Sequence, residues 1–279
     1  MSQLPGDRPA GQSAYVIKIG GNVIDDEDAL SLFLANLSIA VNKNESSAFI
    51  LVHGGGKIAT NIGDKLGIRS NYVNGRRITD DDTINLVTMV YGGLVNKQIV
   101  ARLQSAGINA VGLTGADANL IPAVKRPVKE VDFGWVGDVA AADINVDILS
   151  RFMSMGLLPV FAPLTHDTQG HILNTNADTI ASSLAVALSS TYHVRLLYCF
   201  EKKGVLENVD DENSVINSIT KLKYAELLAA NRLFAGILPK LDNAFAAIDA
   251  GVKEVLIGHA NDLVQNTSAH TVGTLIQNT

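Results

Sequence analysis

A lysine inside an apolar run is the first residue of this chain that calls for a chemical explanation. Lys18 lies in Tyr15-Val16-Ile17-Lys18-Ile19 and is followed at once by Gly20-Gly21. Burying an ammonium group is costly unless an anion meets it, and a glycine turn beside it opens backbone amides to the same anion. A second turn, Gly54-Gly55-Gly56, follows the apolar run Phe49-Ile50-Leu51-Val52 and precedes a segment with helical spacing. Bare amides at a helix amino terminus cradle phosphate; the same glycines also suit a tight strand-to-helix turn that needs positive φ. The turn is neither GxxxxGK[ST] nor GxGxxG, so neither a P-loop nor a dinucleotide fold is indicated.

Two further clusters carry polar chemistry. Asn174-Thr175-Asn176-Ala177-Asp178 stands before a helical segment, where an Asn cap and an acidic first turn are expected. Its two amides and carboxylate would also hold a polar substrate and orient a lysine. Gly236-Ile237-Leu238-Pro239-Lys240 puts a lysine just after a proline at a helix start, where the dipole disfavours a cation. A bound anion would explain it, and so would a solvated side chain. His166 and His171 lack a third partner and read as solvated rather than metal-ligating, so no metal site is expected. His53 reads as a strand-end residue, and Lys57 as facing solvent.

The elements that position these residues follow from periodicity. Short apolar runs at 15–19, 49–52, 110–113, 158–161, 195–198 and 254–257 are apolar throughout, as strands of a parallel sheet covered on both faces must be. Between them, 29–41, 80–105, 144–155, 178–188 and 240–250 carry apolar residues at helical spacing, and Thr79 before Asp80-Asp81-Asp82 is the expected cap of the second. The alternation predicts an α/β domain with a mainly parallel sheet and ligands at the carboxyl ends of its strands. Thr165–Ile172 reads as a rim hairpin. Residues 1–13 are expected to form a disordered tail outside a single domain of residues 14–279.

Composition narrows the partners. The 279 residues include 22 basic and 28 acidic side chains, a formal net charge of −6, with 47% hydrophobic and 18% charged residues. That is globular composition, without the basic footprint that draws a protein to nucleic acid or an anionic membrane. The single cysteine, Cys199, excludes an internal disulfide. No apolar run is long enough for a membrane span and the start has no signal-peptide core, so the expected location is cytoplasmic.

Six motifs in register resemble the N-acetylglutamate kinases of the amino acid kinase family: Lys18-Ile19-Gly20-Gly21, His53-Gly54-Gly55-Gly56, Asn74-Gly75-Arg76-Arg77-Ile78-Thr79, Val111-Gly112-Leu113-Thr114-Gly115, 174–178 and 236–240. The resemblance covers nearly all of residues 14–279. It implies a three-layer α/β/α sandwich with an acyl-amino-acid lobe of about residues 14–189 and an ATP lobe of about 190–279. It implies ATP-dependent phosphorylation of the γ-carboxylate of an N-acyl-L-glutamate, the second step of arginine biosynthesis, with Mg²⁺ carried on ATP. By position, Lys18 and Lys240 contact the phosphates, Asp178 orients both, and Gly20, Gly21, Gly54 and Gly55 supply amides. Arg77, Asn174 and Asn176 match residues that hold the amino-acid substrate. A glutamate side chain, with an ordinary pKa of about 4.3, is already an anionic nucleophile at neutral pH and needs no general base.

Two departures stand out. Where the family usually has a Ser/Thr-Asp pair before Gly-Val or Gly-Ile, this chain reads Cys199-Phe200-Glu201-Lys202-Lys203-Gly204-Val205, so the contacts to the base and ribose are not assigned. Cys199 is read as a packed residue or as a thiol near the nucleotide. Arg76 replaces a usual leucine near the acyl end of the substrate; it would pair with the extra carboxylate of a succinyl group, or turn to solvent or to Asp80. The resemblance further implies an arginine-insensitive homodimer. The alternative from another class is a catalytically inactive sensor, against which the retained Lys18, Asp178 and Lys240 argue.

Overall fold

The computed structural model describes residues 11–73, 75–208, 210–233 and 237–278. Most of the expected tail, together with Asn74 and Gly236 of the motifs, lies outside the described residues. Strands β1 (Ser13–Ile19) and β2 (Ala48–Val52) flank helices α1 (Gly21–Asp25) and α2 (Glu27–Lys43), and α3 (Gly56–Leu66) leads to a hairpin of β3 (Tyr72–Val73) and β4 (Arg76–Arg77). A long helical stretch comes next: α4 (Asp81–Val87), a π-helical segment (Thr88–Val95) and α5 (Asn96–Ser105). Then follow β5 (Ala110–Leu113), β6 (Val124–Lys125), β7 (Gly137–Asp138), α6 (Val146–Ser154), β8 (Leu158–Phe161), the hairpin of β9 (Leu164–His166) and β10 (Ile172–Asn174), and α7 (Ala177–Leu188). Beyond them lie β11 (His193–Phe200), β12 (Ser218–Ile219), α8 (Lys221–Ala229), α9 (Leu238–Asp249), β13 (Glu254–His259), α10 (Leu263–Asn266) and β14 (Thr274–Ile276).

The main sheet has eight strands in the order β12-β14-β13-β11-β1-β2-β8-β5. It is mainly parallel, and β14 runs antiparallel to β13. The apolar runs read from the sequence are its long strands, and β1 starts at Ser13, inside the expected tail. The described residues fall into two compact units, one of Leu51–Ser183 and one of residues 11–50 with Leu184 onward.

In the second of these units β1 pairs in parallel with β11, Lys18 opposite Tyr198 and Ile19 opposite Cys199. Helix α2 starts on Asp26, whose side chain accepts the Ala29 amide at 2.9 Å, with Glu27 and Asp28 in its first turn and Lys43 in its last. All three suit the helix dipole. It buries Leu30, Phe33, Leu34, Leu37 and Ala40, a three- and four-residue stripe. Full burial of side chains such as Phe33 and Leu37 contributes about 1.5–3 kcal/mol each.

In the unit of Leu51–Ser183, the segment expected as one helix over 80–105 is instead interrupted by the π-helical turn. Its cap is also shifted: Asp80, not Thr79, accepts the Thr83 amide at 2.9 Å. Thr79 is fully buried and already committed elsewhere. Its amide donates to Phe133 O, its carbonyl accepts from the Trp135 amide, and its hydroxyl accepts from Asn174 Nδ2 at 3.0 Å.

Hydrogen bonds from the Thr83 hydroxyl and amide hold the Asp80 carboxyl below the usual carboxylate range. Asp80→Ala should therefore cost about 1 kcal/mol at neutral pH in a denaturant titration. Because the folded-state value lies below the unfolded one, that difference should be fully present above the ordinary carboxylate range and fade as the pH falls through the depressed value.

Candidate functional site

The residues singled out by sequence fall into two groups, one in each unit. In the unit that carries β1 and β11, Lys18 stands one residue from the end of β1, and Phe200 ends β11. Lys18 lies opposite Tyr198, and alternation along a strand puts Phe200 on the same face. The Lys18 ammonium is 6.0 Å from the Phe200 ring centroid. Lys240, in the first turn of α9, places its ammonium 3.6 Å from that centroid. Two lysines more than two hundred residues apart thus share one aromatic ring, an arrangement favoured by the ring's quadrupole. Phe200 is 8% exposed and lies nearly parallel to the Tyr198 ring, at 6.3 Å and 3°.

Gly20 and Gly21 turn the chain from β1 into α1, and the Gly20 amide donates to Cys199 O at 3.2 Å. Between Tyr198 and Phe200 the Cys199 thiol is buried, which pushes its pKa up to about 12 against the opposing charge of Lys18. Of the two sequence readings of Cys199, the packed one fits. Phe200 was visible only as part of a departure from the family pattern. The signal that would have found it is the parallel register, which sets an aromatic beside the strand lysine.

In the unit of Leu51–Ser183, Gly54-Gly55-Gly56 joins β2 to α3. Gly55 is buried with φ +148, and a Cβ there would stand 3.1 Å from the Tyr91 ring, so only glycine serves. Arg77 lies on β4 and is 8% exposed. Its guanidinium donates to Gly56 O and Thr60 Oγ1, each at 2.9 Å, and to Ser70 Oγ, and it stacks 4.9 Å over Tyr72. These bonds use three of its five donors and tie the hairpin to the opening of α3, which brings Arg77 beside the glycine turn. Asn174 ends β10 and donates to Thr79, its own amide bonding Trp135 O at 2.9 Å.

Asn176 Oδ1 accepts the amides of Asp178 and Thr179, at 2.7 and 3.3 Å, so its oxygen caps α7. Asp178 occupies the first turn of that helix. Arg76 is exposed on β4, opposite Val73. The Asp80 carboxylate accepts the Thr83 amide. Gly75 has φ +74 and turns the β3–β4 hairpin.

The expected rim hairpin is β9–β10. Neither of its histidines is simply solvated: His171 bonds Asp167 at 2.7 Å and stacks 4.9 Å from Trp135, while His166 Nδ1 accepts the Thr168 amide. Trp135 also holds the Lys125 ammonium at 3.8 Å and donates from Nε1 to Asp81 at 2.5 Å. Lys125, Trp135, Asp167 and His171 line a cavity of about 610 Å³ with Val124 and Asp143. Among the described residues no cluster of three His, Cys, Asp or Glu is placed to hold a metal ion, and no helix is long and apolar enough to cross a membrane.

A parallel α/β sheet with a strand lysine and glycine turns at strand ends is the architecture of a phosphotransferase class, and residues 13–259 match the amino acid kinase family: the chain belongs to it. Within that family it is 52% identical to the acetylglutamate kinase of Cytophaga hutchinsonii, covering 94% of this chain and 98% of that one. It is 53% identical to the acetylglutamate kinase of Bacteroides thetaiotaomicron, covering 90% and 95%. Among solved structures, smu.665 from Streptococcus mutans superposes with a TM-score of 0.72 at 29% identity, over 95% of this chain and 98% of that one. Giardia lamblia carbamate kinase bound to AMP-PNP superposes at 0.68 with 15% identity, over 97% and 99%, which shows the shared fold.

Cys199 supplies a check on the lysine group. With its thiol held protonated, native protein at pH 8 should not react with a disulfide reagent on the timescale of an exposed thiol, and one equivalent should appear on unfolding. Rapid labelling of the native protein would place the thiol outside the packed strand end.

Proposed function

We propose that this protein transfers the γ-phosphoryl group of ATP to the γ-carboxylate of an N-acyl-L-glutamate, as its acetylglutamate kinase relatives are named for doing. The observation that carries the reading is the meeting of Lys18 and Lys240 on one ring. The acceptor is anionic without help, so the barrier lies in bringing it up to a triphosphate. Two ammonium groups answer the charge on the transferring phosphoryl, and the turns Gly20-Gly21 and Gly54-Gly55 supply amides to the same end. Asp178 orients the lysines, and Arg77, Asn174 and Asn176 hold the amino acid, Arg77 through donors not spent on Gly56, Thr60 and Ser70.

Magnesium fits this donor set only as an ion carried by the nucleotide, since the described residues build no carboxylate cage of their own. Bound there, it would screen the phosphate oxygens. The assembly we infer is a cytoplasmic homodimer, to which Met89 and Leu94, exposed on the π-helical segment, offer apolar surface.

The acyl group is the finer question. Arg76 is exposed on the hairpin that also carries Arg77, and its guanidinium suits a second carboxylate. We therefore extend the reading to N-succinyl-L-glutamate as the preferred acyl substrate.

A hydroxamate assay with ATP and each acylglutamate tests both parts. Lys18→Ala and Lys240→Ala should each lower kcat by on the order of 10²-fold with the melting temperature retained; near-normal turnover removes that lysine from the mechanism.

For the acyl group, kcat/KM should be higher with the succinyl substrate, and Arg76→Leu should cost about 1.5–3 kcal/mol on that substrate alone. A preference for the acetyl substrate, or an equal loss on both, would retire the succinyl assignment and leave the kinase reading standing.

A further inference from the structure

The residue before the second glycine turn, His53, is fully buried, and its neighbours fix where its proton sits. Lys97 Nζ donates to Asn96 Oδ1 at 3.2 Å and to Gly112 O at 3.0 Å. An ammonium group only donates, so the Asn96 atom facing it must be the oxygen. The Asn96 nitrogen is thereby aimed at Val160 O, at 2.9 Å, and at His53 Nε2, at 3.1 Å. Since that nitrogen donates, Nε2 must accept and carries no proton. The proton of the neutral ring is then on Nδ1, which lies 2.7 Å from Gly54 O and donates to it.

Burial keeps this ring neutral, pushing its pKa down to about 4, with the Lys97 charge acting in the same direction. The space for the Asn96 amide exists because residue 112 is glycine: a Cβ there would stand 1.9 Å from Asn96 Oδ1.

The consequence falls on the next peptide. Gly54–Gly55 is a trans peptide, so its carbonyl and its N–H point in opposite directions. Holding Gly54 O against His53 turns the Gly55 N–H away from the histidine, at the cap position of α3. A peptide flanked by two glycines has little of its own to keep it from turning over. Turned over, it would present a carbonyl oxygen to an anion in place of a donor.

We propose that Lys97, Asn96 and His53 act as a positioning relay that holds the Gly54–Gly55 peptide in the one orientation that aims the Gly55 amide at the anionic reacting group. This rests on the proposed function for the identity of that group. His53 is neither a base nor a ligand here; it is a positioning residue, and it supplies a donor set in advance of the reaction rather than during it.

Three measurements test the relay, using the full chain. In protein carrying ¹⁵N-labelled histidine, the His53 imidazole should show a protonated Nδ1 and a bare Nε2 from about pH 6 to 9, and Lys97→Met, which leaves Val160 O alone to orient the Asn96 amide, should admit a detectable share of the other tautomer. With ATP and the better acylglutamate, His53→Leu should lower kcat by on the order of 10²-fold with a smaller change in KM, and Lys97→Met should lower it by about three- to tenfold. The double variant should lose no more than His53→Leu alone, because both act through one peptide.

A proton on Nε2 in the wild type, an unchanged kcat in Lys97→Met, or additive losses in the double variant would overturn the proposal. Should His53→Leu fail to fold, the spectrum and kcat of Lys97→Met decide it alone. If the wild type phosphorylates neither acylglutamate, the proposed function falls while the imidazole spectrum still judges the tautomer.

Discussion

The Lys18 ammonium stands at the end of a strand whose neighbours Val16, Ile17 and Ile19 are dry. An isolated ammonium would be expelled from such a place or lose its charge. Here the strand stops at once in two glycines, the parallel partner strand brings Tyr198 and Phe200 to the same face, and α9 adds a second ammonium against the same ring. Aromatic packing gives both cations a favourable contact at this dry strand end.

The unit of Leu51–Ser183 answers a different constraint, which is how to keep backbone donors aimed when the residues that carry them are glycines. Rigidity comes from outside the turn. Arg77 grips Gly56 O and Thr60, the π-helical segment lays Tyr91 and Val95 against Gly55, and the next residue, Asn96, reaches His53. A regular α-helix over 80–105 would rotate Asn96 out of phase with Tyr91. The π-helical turn sets that phase, in keeping with the frequent siting of such turns at functional sites.

Much of this was legible in the sequence because parallel strands are apolar throughout and helices repeat every 3.6 residues. The runs at 110–113 and 158–161 coincide with β5 and β8, and the spacing at 29–41 lies within α2. The cap of α4 was misplaced because Thr79 and Asp80 are both good caps locally; Asn174 and Trp135, distant in sequence, take Thr79 away. The two-residue strands β12 and β6 are too short to show a period. His53 looked like a strand end because its meaning depends on a partner 43 residues on and on the absence of a side chain at Gly112. Asn176 shows the opposite case, a polar residue whose oxygen does what the local rule for helix caps requires.

Trp135 is the chain's sole tryptophan, and its backbone is stitched to Thr79 on one side and Asn174 on the other. Its indole packs against the Lys125 ammonium and the His171 ring, with its N–H on the Asp81 carboxylate. Charged neighbours this close perturb an indole's excited state, so all the tryptophan emission of the protein arises from one spot, in the segment whose backbone joins Thr79 to Asn174. The molecule carries a built-in optical gauge there: any rearrangement that loosens the hairpin changes the colour or brightness of its single indole.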